Sequence, residues 1–555
     1  MNCKKYIYVI FFTVAFITTS CGVRKANKHL PDISAYDVSK DTLIYVNDTL
    51  RIYGESSLRK NEYAQWELVA RGENPLDLGN TVGILSEDLV KKQEEIFMEQ
   101  VETFVPSKFK QYFLRKFLAW YNRKIYLNVK EEYKVEIYGV SQYSSDKFDL
   151  LGSKYLKSLY LHGAHDIGHA MQDLALVGCS SFAVWGDQTV DGELIIGRNF
   201  DFYAGDEFAQ DKMIQFIEPA EGYRFVAISW AGMIGVMSGM NQQGITVTIN
   251  AGKSDMPLVA KTPISLVARE ILQYASTTEE AIKIAKEKQV FVSESIMVGS
   301  ANDNKAILIE MSPEKFGVYD VPNTSRLICT NHFQSDTYSD DENNLEHIAS
   351  SHSKFRHDRL EVLLNDTVIV TPKKAVEILR DRKGVDGSLI GNGNEKSLNQ
   401  LLAHHGVVFK PNEKRIWISS APYQLGNFVS FQLDSVFDGT DIKNSTLSNK
   451  MNLIPKDPFL NTKEYKDYES YRELKVVLTE DLESKKVWSD DKLKYFVSLN
   501  PEFWEVYYLV GRYYFERKTY DKALPYFENA LSKEVTTTQD IAKLEDYIKK
   551  TKRKI

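Results

Sequence analysis

Apolar and polar residues change rhythm several times along this chain, and each change marks a segment. Residues Tyr6 to Ile17 are an apolar run behind Lys4-Lys5, too short to span a bilayer comfortably. Residues 21–60 are polar and proline-punctuated, with one strand-like piece at Thr42–Val46, and read as a linker. Residues 61–178 predict helix: Trp66, Leu68 and Val69, then Ile96, Phe97, Val101 and Phe104, fall at helical spacing up to about Tyr126. A glycine-spaced turn, Asn74 to Gly79 with Gly83, interrupts them. Lys154 to Ala175 predicts a further helix. Beyond Cys179 the period shortens. Cys179–Trp185 and Glu193–Ile196 read as a hairpin about the turn Gly186–Gly192. Phe225–Trp230, Ile245–Ile249, Ser295–Val298, Ala306–Ile309 and Gly406–Phe409 predict more strands, with helices at Ile264–Ala285 and Ala375–Arg380. This mixture makes residues 179–437 an α+β core. After a linker at 438–470 the strand signal vanishes, and residues 471–555 predict an all-α region.

The helical tail has its own signature. Tyr507, Val510, Gly511 and Tyr514, then Ala523, Phe527 and Ala530, match the tetratricopeptide spacing, which sets small residues where two helices cross. A single repeat cannot bury its own apolar face, so flanking helices are expected near Asp490–Leu499 and Asp540–Lys552. Pro525 falls early in the second helix, where it is tolerated more readily. A generic helical hairpin is the plainer alternative. Either form suits a docking or stabilising appendage, with a place for a protein partner.

Charge and cysteine use narrow the function. A net charge of −7 over 555 residues argues against nucleic-acid binding, for which a basic balance would be expected. Residues 1–20 read as a signal peptide, and Thr18-Thr19-Ser20-Cys21-Gly22 resembles a bacterial lipoprotein cleavage box, departing from it at Thr18. A lipidated Cys21 would tie the exported protein to a membrane; an ordinary signal peptide is the alternative. Cys3 leaves with the signal, so Cys179 and Cys329 are the cysteines left in the folded part. This is not a disulfide scaffold. Cys329 and Asn331 share a strand face near Cys179, so a Cys179–Cys329 bridge or a plain buried Cys329 would both fit.

The candidate chemistry centres on Gly178-Cys179-Ser180-Ser181, followed by Gly197-Arg198-Asn199-Phe200-Asp201. The hairpin returns Arg198 and Asp201 towards the strand that Cys179 opens. A guanidinium beside a thiol favours thiolate. Cleavage between Gly178 and Cys179 would give Cys179 a free α-amine of pKa near ~8 to act as base. His162, His165 and His169 lie on one helical face, but no metalloprotease carboxylate pattern surrounds them. They read as interface histidines, as do His404 and His405. No metal or cofactor is called for.

Further blocks extend the pattern: Gly239-Met240-Asn241 to Asn250, then Cys329-Thr330-Asn331-His332-Phe333, then Ser353 to Leu360. Together with Cys179, Arg198 and Asp201 they resemble the cysteine N-terminal-nucleophile hydrolases of the acyl-coenzyme A:isopenicillin N acyltransferase family, with choloylglycine hydrolases and N-acylethanolamine acid amidases as cousins. The resemblance spans roughly residues 65–437. It implies a four-layer αββα sandwich and autoproteolysis before Cys179. It also implies an oxyanion role for Asn250, a supporting amide at Asn331, and a basic residue near 356. Lys354, Arg356 and Arg359 compete for that place, and Arg356 is our choice. The implied substrates are N-acyl small molecules or lipids. A non-catalytic scaffold and an ester hydrolase resembling phospholipase B-like proteins are the rival readings.

Overall fold

A computed structural model describes residues 22–147, 152–163, 166, 178–203, 205–255, 259–439 and 446–555. The molecule is mixed α/β, with two large sheets and an all-helical C-terminal region. The larger sheet opens with β1 (Ile44–Asn47), β2 (Leu50–Tyr53), β3 (Ser56–Lys60) and β4 (Trp66–Arg71). The hairpin strands β5 (Ser180–Val184) and β6 (Ile195–Phe200) belong to the smaller one. Then follow β7 (Met213–Glu218), β8 (Phe225–Ser229), β9 (Ser238–Asn241), β10 (Ile245–Ala251), β11 (Glu294–Ser300), β12 (Lys305–Met311) and β13 (Phe316–Tyr319). The chain closes the smaller sheet with β14 (Arg326–Cys329), β15 (His405–Lys410), β16 (Arg415–Ser419) and β17 (Phe428–Gln432). Eleven strands run in the order β1-β2-β3-β4-β7-β8-β9-β10-β11-β12-β13, and six in the order β14-β5-β6-β15-β16-β17. Neighbours are antiparallel except β4 and β7, which pair parallel.

Most central strands are buried on both faces, which explains their near-continuous apolar runs. Between the sheets, Phe216, Val226 and Leu308 of the larger meet Ile196, Val407 and Ile416 of the smaller. On the far face of the larger sheet, Val247 and Ile249 pack with Leu266, Val267 and Ile271 of the helix Ile264–Tyr274. On the far face of the smaller, Phe182, Val184 and Val408 pack with Leu360, Val376 and Leu379.

Three stretches differ from the sequence reading. Trp66, Leu68 and Val69, expected in a helix, lie in β4. Its backbone is paired on both sides, by β3 and β7, so tertiary pairing overrides a short helical spacing. The expected linker holds β1, β2 and β3, whose antiparallel register starts at Ile44↔Ile52 and Leu50↔Arg59. Helix begins after Asn74, whose side chain accepts from the Asp77 amide and is followed by Pro75; it runs Pro75–Phe104. Helices Lys108–Tyr121, Glu131–Ser141 and Lys154–His162 follow. The remainder of the stretch expected as helix to Ala175 lies outside the described residues, apart from Gly163, which caps the helix end, and Asp166. Ile264–Ala285 is two helices: the chain breaks at Ala275, and Thr277 caps Thr278–Lys286 by accepting from the Glu280 amide.

The tail starts earlier than its change of composition suggests. Helices Lys463–Glu483, Asp490–Ser498, Trp504–Glu516, Tyr520–Leu531 and Thr538–Lys552 build it. A Cβ on Gly511 would lie 2.7 Å from the Phe527 ring, so the helices cross closely there. The tail is not a free appendage: Leu401 and Leu425 of the preceding region are fully buried in its apolar cluster. Asn392 and Asn500 exchange hydrogen bonds, with the Asn392 amide donating at 3.1 Å and Asn500 Nδ2 donating back at 2.8 Å.

Candidate active site

The register of the smaller sheet gathers the sequence-predicted residues. Ser181 pairs with Arg198 on one side and with Cys329 on the other. Cys179 stands one residue before β5, its side chain fully buried. Gly178 N–H donates to the Asp201 carbonyl at 3.0 Å, tying the residue before the cysteine to the end of the hairpin. The Gly178 carbonyl accepts from Gln400 Nε2 at 2.9 Å.

Arg198 Nη2 reaches the Cys179 sulfur at 3.7 Å. The same guanidinium donates to the Met237 carbonyl at 3.0 Å and to the Ser238 hydroxyl and the Ile249 carbonyl, and lies 4.4 Å over the Phe200 ring. It is therefore held rigidly. Even so, burial pushes the Cys179 thiol up to about 11, outweighing the opposing pull of Arg198. Cys179 is therefore a thiol near pH 7, contrary to the thiolate that the neighbouring guanidinium suggests. Asp201 is fully buried, and neither carboxylate oxygen has a hydrogen-bond partner among the described residues. Burial pushes its pKa up to about 8, against the pull of Arg356 and Arg198.

Of the three basic candidates after Ser353, Arg356 faces the cysteine. Its Nη1 donates to the Cys179 carbonyl at 2.6 Å and to Ser180 Oγ at 2.8 Å; Nη2 donates to Asn331 Oδ1 at 2.6 Å. Lys354 pairs with Asp358 on the surface, and Arg359 pairs with Asp381. Asn331 Nδ2 donates to the Ala251 carbonyl at 3.0 Å. Asn250 Nδ2 is shared between the Cys329 and Thr330 carbonyls at 3.1 and 3.2 Å, while its Oδ1 accepts from Ser181 Oγ at 2.9 Å. Both asparagines lie beside the cysteine strand, and both amides are occupied by backbone oxygens.

Cys179 and Cys329 are both free and buried. Cys21, His165 and His169 lie outside the described residues. His162 is buried between Ser158 and Ile234: its Nδ1 lies 2.7 Å from the Ser158 carbonyl and Nε2 accepts from the Ile234 amide at 3.1 Å. Burial lowers its pKa to about 4, so it is neutral near pH 7. His404 and His405 face each other through Nδ1 at 2.9 Å, and His405 Nε2 lies 2.8 Å from Ser238 Oγ, the hydroxyl that Arg198 also engages. Among the described residues one cluster has the spacing for a cation, Asp191, Glu193 and Glu413, and the Lys410 ammonium already bridges all three.

Gln400 is the contact that the sequence gives no signal for. It sits in a loop without motif, 222 positions from Gly178. It also explains the glycine: a Cβ at 178 would lie 2.6 Å from Gln400 Nε2. A second unread feature is a small cavity of about 40 Å³, lined by Phe97, Phe202, Phe208 and Trp230 together with the polar Glu94 and His162. Phe202 follows Asp201 and stacks on Phe200 and Trp230, with ring centres 5.6 and 6.0 Å apart.

These features define a mixed α/β protein with a buried cysteine, arginine and aspartate gathered at the mouth of a β-hairpin. Residues 188–422 match the acyl-coenzyme A:6-aminopenicillanic acid acyl-transferase family. An uncharacterized protein of Archaeoglobus fulgidus is 27% identical over 265 residues, 44% of this chain and 43% of its own length. Protein dcd1B of Dictyostelium discoideum is 25% identical over 155 residues, 27% of this chain and 31% of that protein. The chain thus spans less than half the length of either curated relative. Among solved structures, a Caenorhabditis elegans N-acylethanolamine-hydrolyzing acid amidase ortholog aligns with a TM-score of 0.32 and 20% identity, covering 42% of this chain and 93% of its own. A mutant conjugated bile acid hydrolase from Clostridium perfringens aligns with a TM-score of 0.31 and 14% identity, covering 49% of this chain and 97% of its own.

Proposed function

We propose that this protein is a cysteine N-terminal-nucleophile enzyme that hydrolyses or transfers the acyl group of N-acyl substrates, after cutting itself between Gly178 and Cys179. The observation that carries this reading is the buried Asp201 carboxylate, without a hydrogen-bond partner among the described residues, beside a cysteine whose preceding carbonyl is already held by an amide donor. A buried, unpaired carboxylate is costly. A free α-amine on Cys179 would supply what it lacks.

In the first step the Cys179 sulfur attacks the Gly178 carbonyl carbon. Gln400 Nε2 is in hydrogen-bond range of the oxygen on which charge develops. The Gly178–Cys179 C–N bond breaks, the thiol proton passes to the departing nitrogen, and a thioester forms. Water then hydrolyses that thioester, leaving a Gly178 carboxylate and a free Cys179 thiol and amine. In turnover the sulfur attacks the acyl-amide carbonyl while the α-amine takes the thiol proton and passes it to the leaving nitrogen. Water, or an acceptor amine, releases the acyl group. Asn250 and Asn331 would exchange their backbone partners for the oxyanion, with Arg356 holding Asn331 and the Cys179 carbonyl in register.

In the same reading the two sheets and their outer helices are a four-layer αββα sandwich. Residues 1–20 are a signal peptide, Cys21 carries an acyl anchor in the cell envelope, and the tail is a tetratricopeptide-like support for the core or for a partner. The test is a denaturing intact mass of wild type and Cys179→Ala, followed by a screen of N-acyl against O-acyl substrates. A cut wild type that cleaves only O-acyl substrates would overturn the amide assignment.

A further inference from the structure

Helix Lys108–Tyr121 carries an unusual face. Phe109, Phe113 and Phe117 recur every four residues and are 72%, 53% and 50% exposed, with Tyr112 beside them at 57%. The helix is held at its C-terminal end: Tyr121, one turn beyond Phe117, is buried, stacks on Phe117 with ring centres 5.7 Å apart and packs against Phe291 at 6.0 Å. Phe109, Phe113 and Phe117 therefore form an outward stripe on a helix that is held to the protein at its C-terminal end. Contiguous apolar exposure of this kind marks an interaction surface.

Charge identifies the partner. From Ser107 to Ile125 the chain has no Asp or Glu, while Lys108, Lys110, Arg115, Lys116, Arg123 and Lys124 are all basic. The protein as a whole is net acidic, at −7, so this basic island is local. Arg115 has one long contact with Glu102 at 3.8 Å, and no ion pair of Lys108, Lys110 or Lys116 is found among the described residues. Aromatics flanked by lysines suit the boundary of a bilayer with anionic headgroups, where rings enter the acyl edge and ammonium groups meet phosphate.

A second observation comes from the start of the described chain. A Cβ on Gly22 would lie 3.1 Å from the Arg123 side chain. The residue that follows Cys21 thus lies at the C-terminal end of the same helix. We infer that helix Lys108–Tyr121 docks on an anionic lipid surface and turns this side of the protein to the membrane. The stripe and its charge carry the inference alone; the placement of Gly22 adds that an acyl group on Cys21, if the proposed anchor holds, would enter the same surface.

Hydrogen–deuterium exchange of the full chain tests this, read on peptides covering 108–121. The probes are phosphatidylcholine vesicles with and without phosphatidylglycerol, and vesicle flotation gives the partition. Lys108→Glu/Lys110→Glu/Lys116→Glu and Phe109→Ser/Phe113→Ser/Phe117→Ser are compared with wild type, each also carrying Cys21→Ser. All six positions are exposed, so thermal midpoints should match wild type and exclude misfolding. We expect exchange over 108–121 to slow only with phosphatidylglycerol, and both triple variants to lose that protection. Each basic residue near such a surface changes partition about fivefold, so the lysine variant should partition ~100-fold more weakly or worse. Unchanged exchange with anionic vesicles would overturn the inference. So would protection without lipid that grows with protein concentration, which would assign the stripe to a second copy.

Discussion

Replacing Gln400 by Met keeps the length of the side chain and removes its N–H groups. In the structure Gln400 Nε2 donates to the Gly178 carbonyl at 2.9 Å, within the range for a donor that follows the oxygen into a tetrahedral state. Loss of one such donor typically costs about 3 kcal/mol of barrier, or roughly 100- to 1000-fold in rate. The residue is 2% exposed, so water does not readily replace the lost bond. The assay is a pulse of cell-free translation followed by a chase, with precursor and cut chains resolved under denaturing conditions. Gln400→Met should accumulate full-length precursor and convert it at least ~100-fold more slowly than wild type. Gly178→Ala should do the same by a different route, since its Cβ would meet Gln400 Nε2 at 2.6 Å and push the donor off the carbonyl. Conversion of Gln400→Met at the wild-type rate would remove Gln400 from the cleavage step.

Asp201 makes a pH prediction in the uncut Cys179→Ala chain, where no α-amine is present. Its pKa is about 8 folded against the ordinary 3.8, so the folded state binds more protons between these values. Its contribution to stability is complete below about pH 4 and is lost as pH rises through 8. Relative to this chain, an added Asp201→Asn should gain several kcal/mol across that window, on the order of 1.4 kcal/mol per pH unit, as read by denaturant unfolding. A difference that does not change with pH would refute the buried, unpaired carboxylate. Arg356→Met removes hydrogen bonds to the Cys179 carbonyl, Ser180 and Asn331 and should cost about 2–5 kcal/mol in urea unfolding, with loss of turnover; wild-type stability would contradict those contacts. Gly391→Ala places a Cβ 2.4 Å from that of Phe503 at φ +87°, so it should loosen the tail, seen as faster proteolysis near residue 462; an unchanged digestion rate would separate tail from core.

Sequence and structure agree where local patterning dominates. The hairpin about Gly186–Gly192, the strands after Phe225 and the Gly511–Phe527 crossing were all readable from alternation or from small-residue spacing. β4 was not, because six residues of mixed pattern become a strand only when β3 and β7 flank them. The same holds for β1–β3, three short strands at one side of the larger sheet whose pairing is set by neighbours rather than by composition. At the site, Cys179, Arg198 and Asp201 were legible since a single hairpin brings them together. The thiol's protonation was not, because desolvation depends on what the rest of the chain packs over it. Gln400 lies in an irregular loop and touches Gly178 only through long-range folding.

The most direct test of the central claim is a denaturing intact mass of the purified protein beside its Cys179→Ala variant. The account predicts two chains in the wild type, one ending at Gly178 and one running from Cys179 to Ile555, and a single uncut chain in the variant. A wild type that stays uncut while turning over N-acyl substrates, or a Cys179→Ala chain that is cut at the same bond, would contradict it.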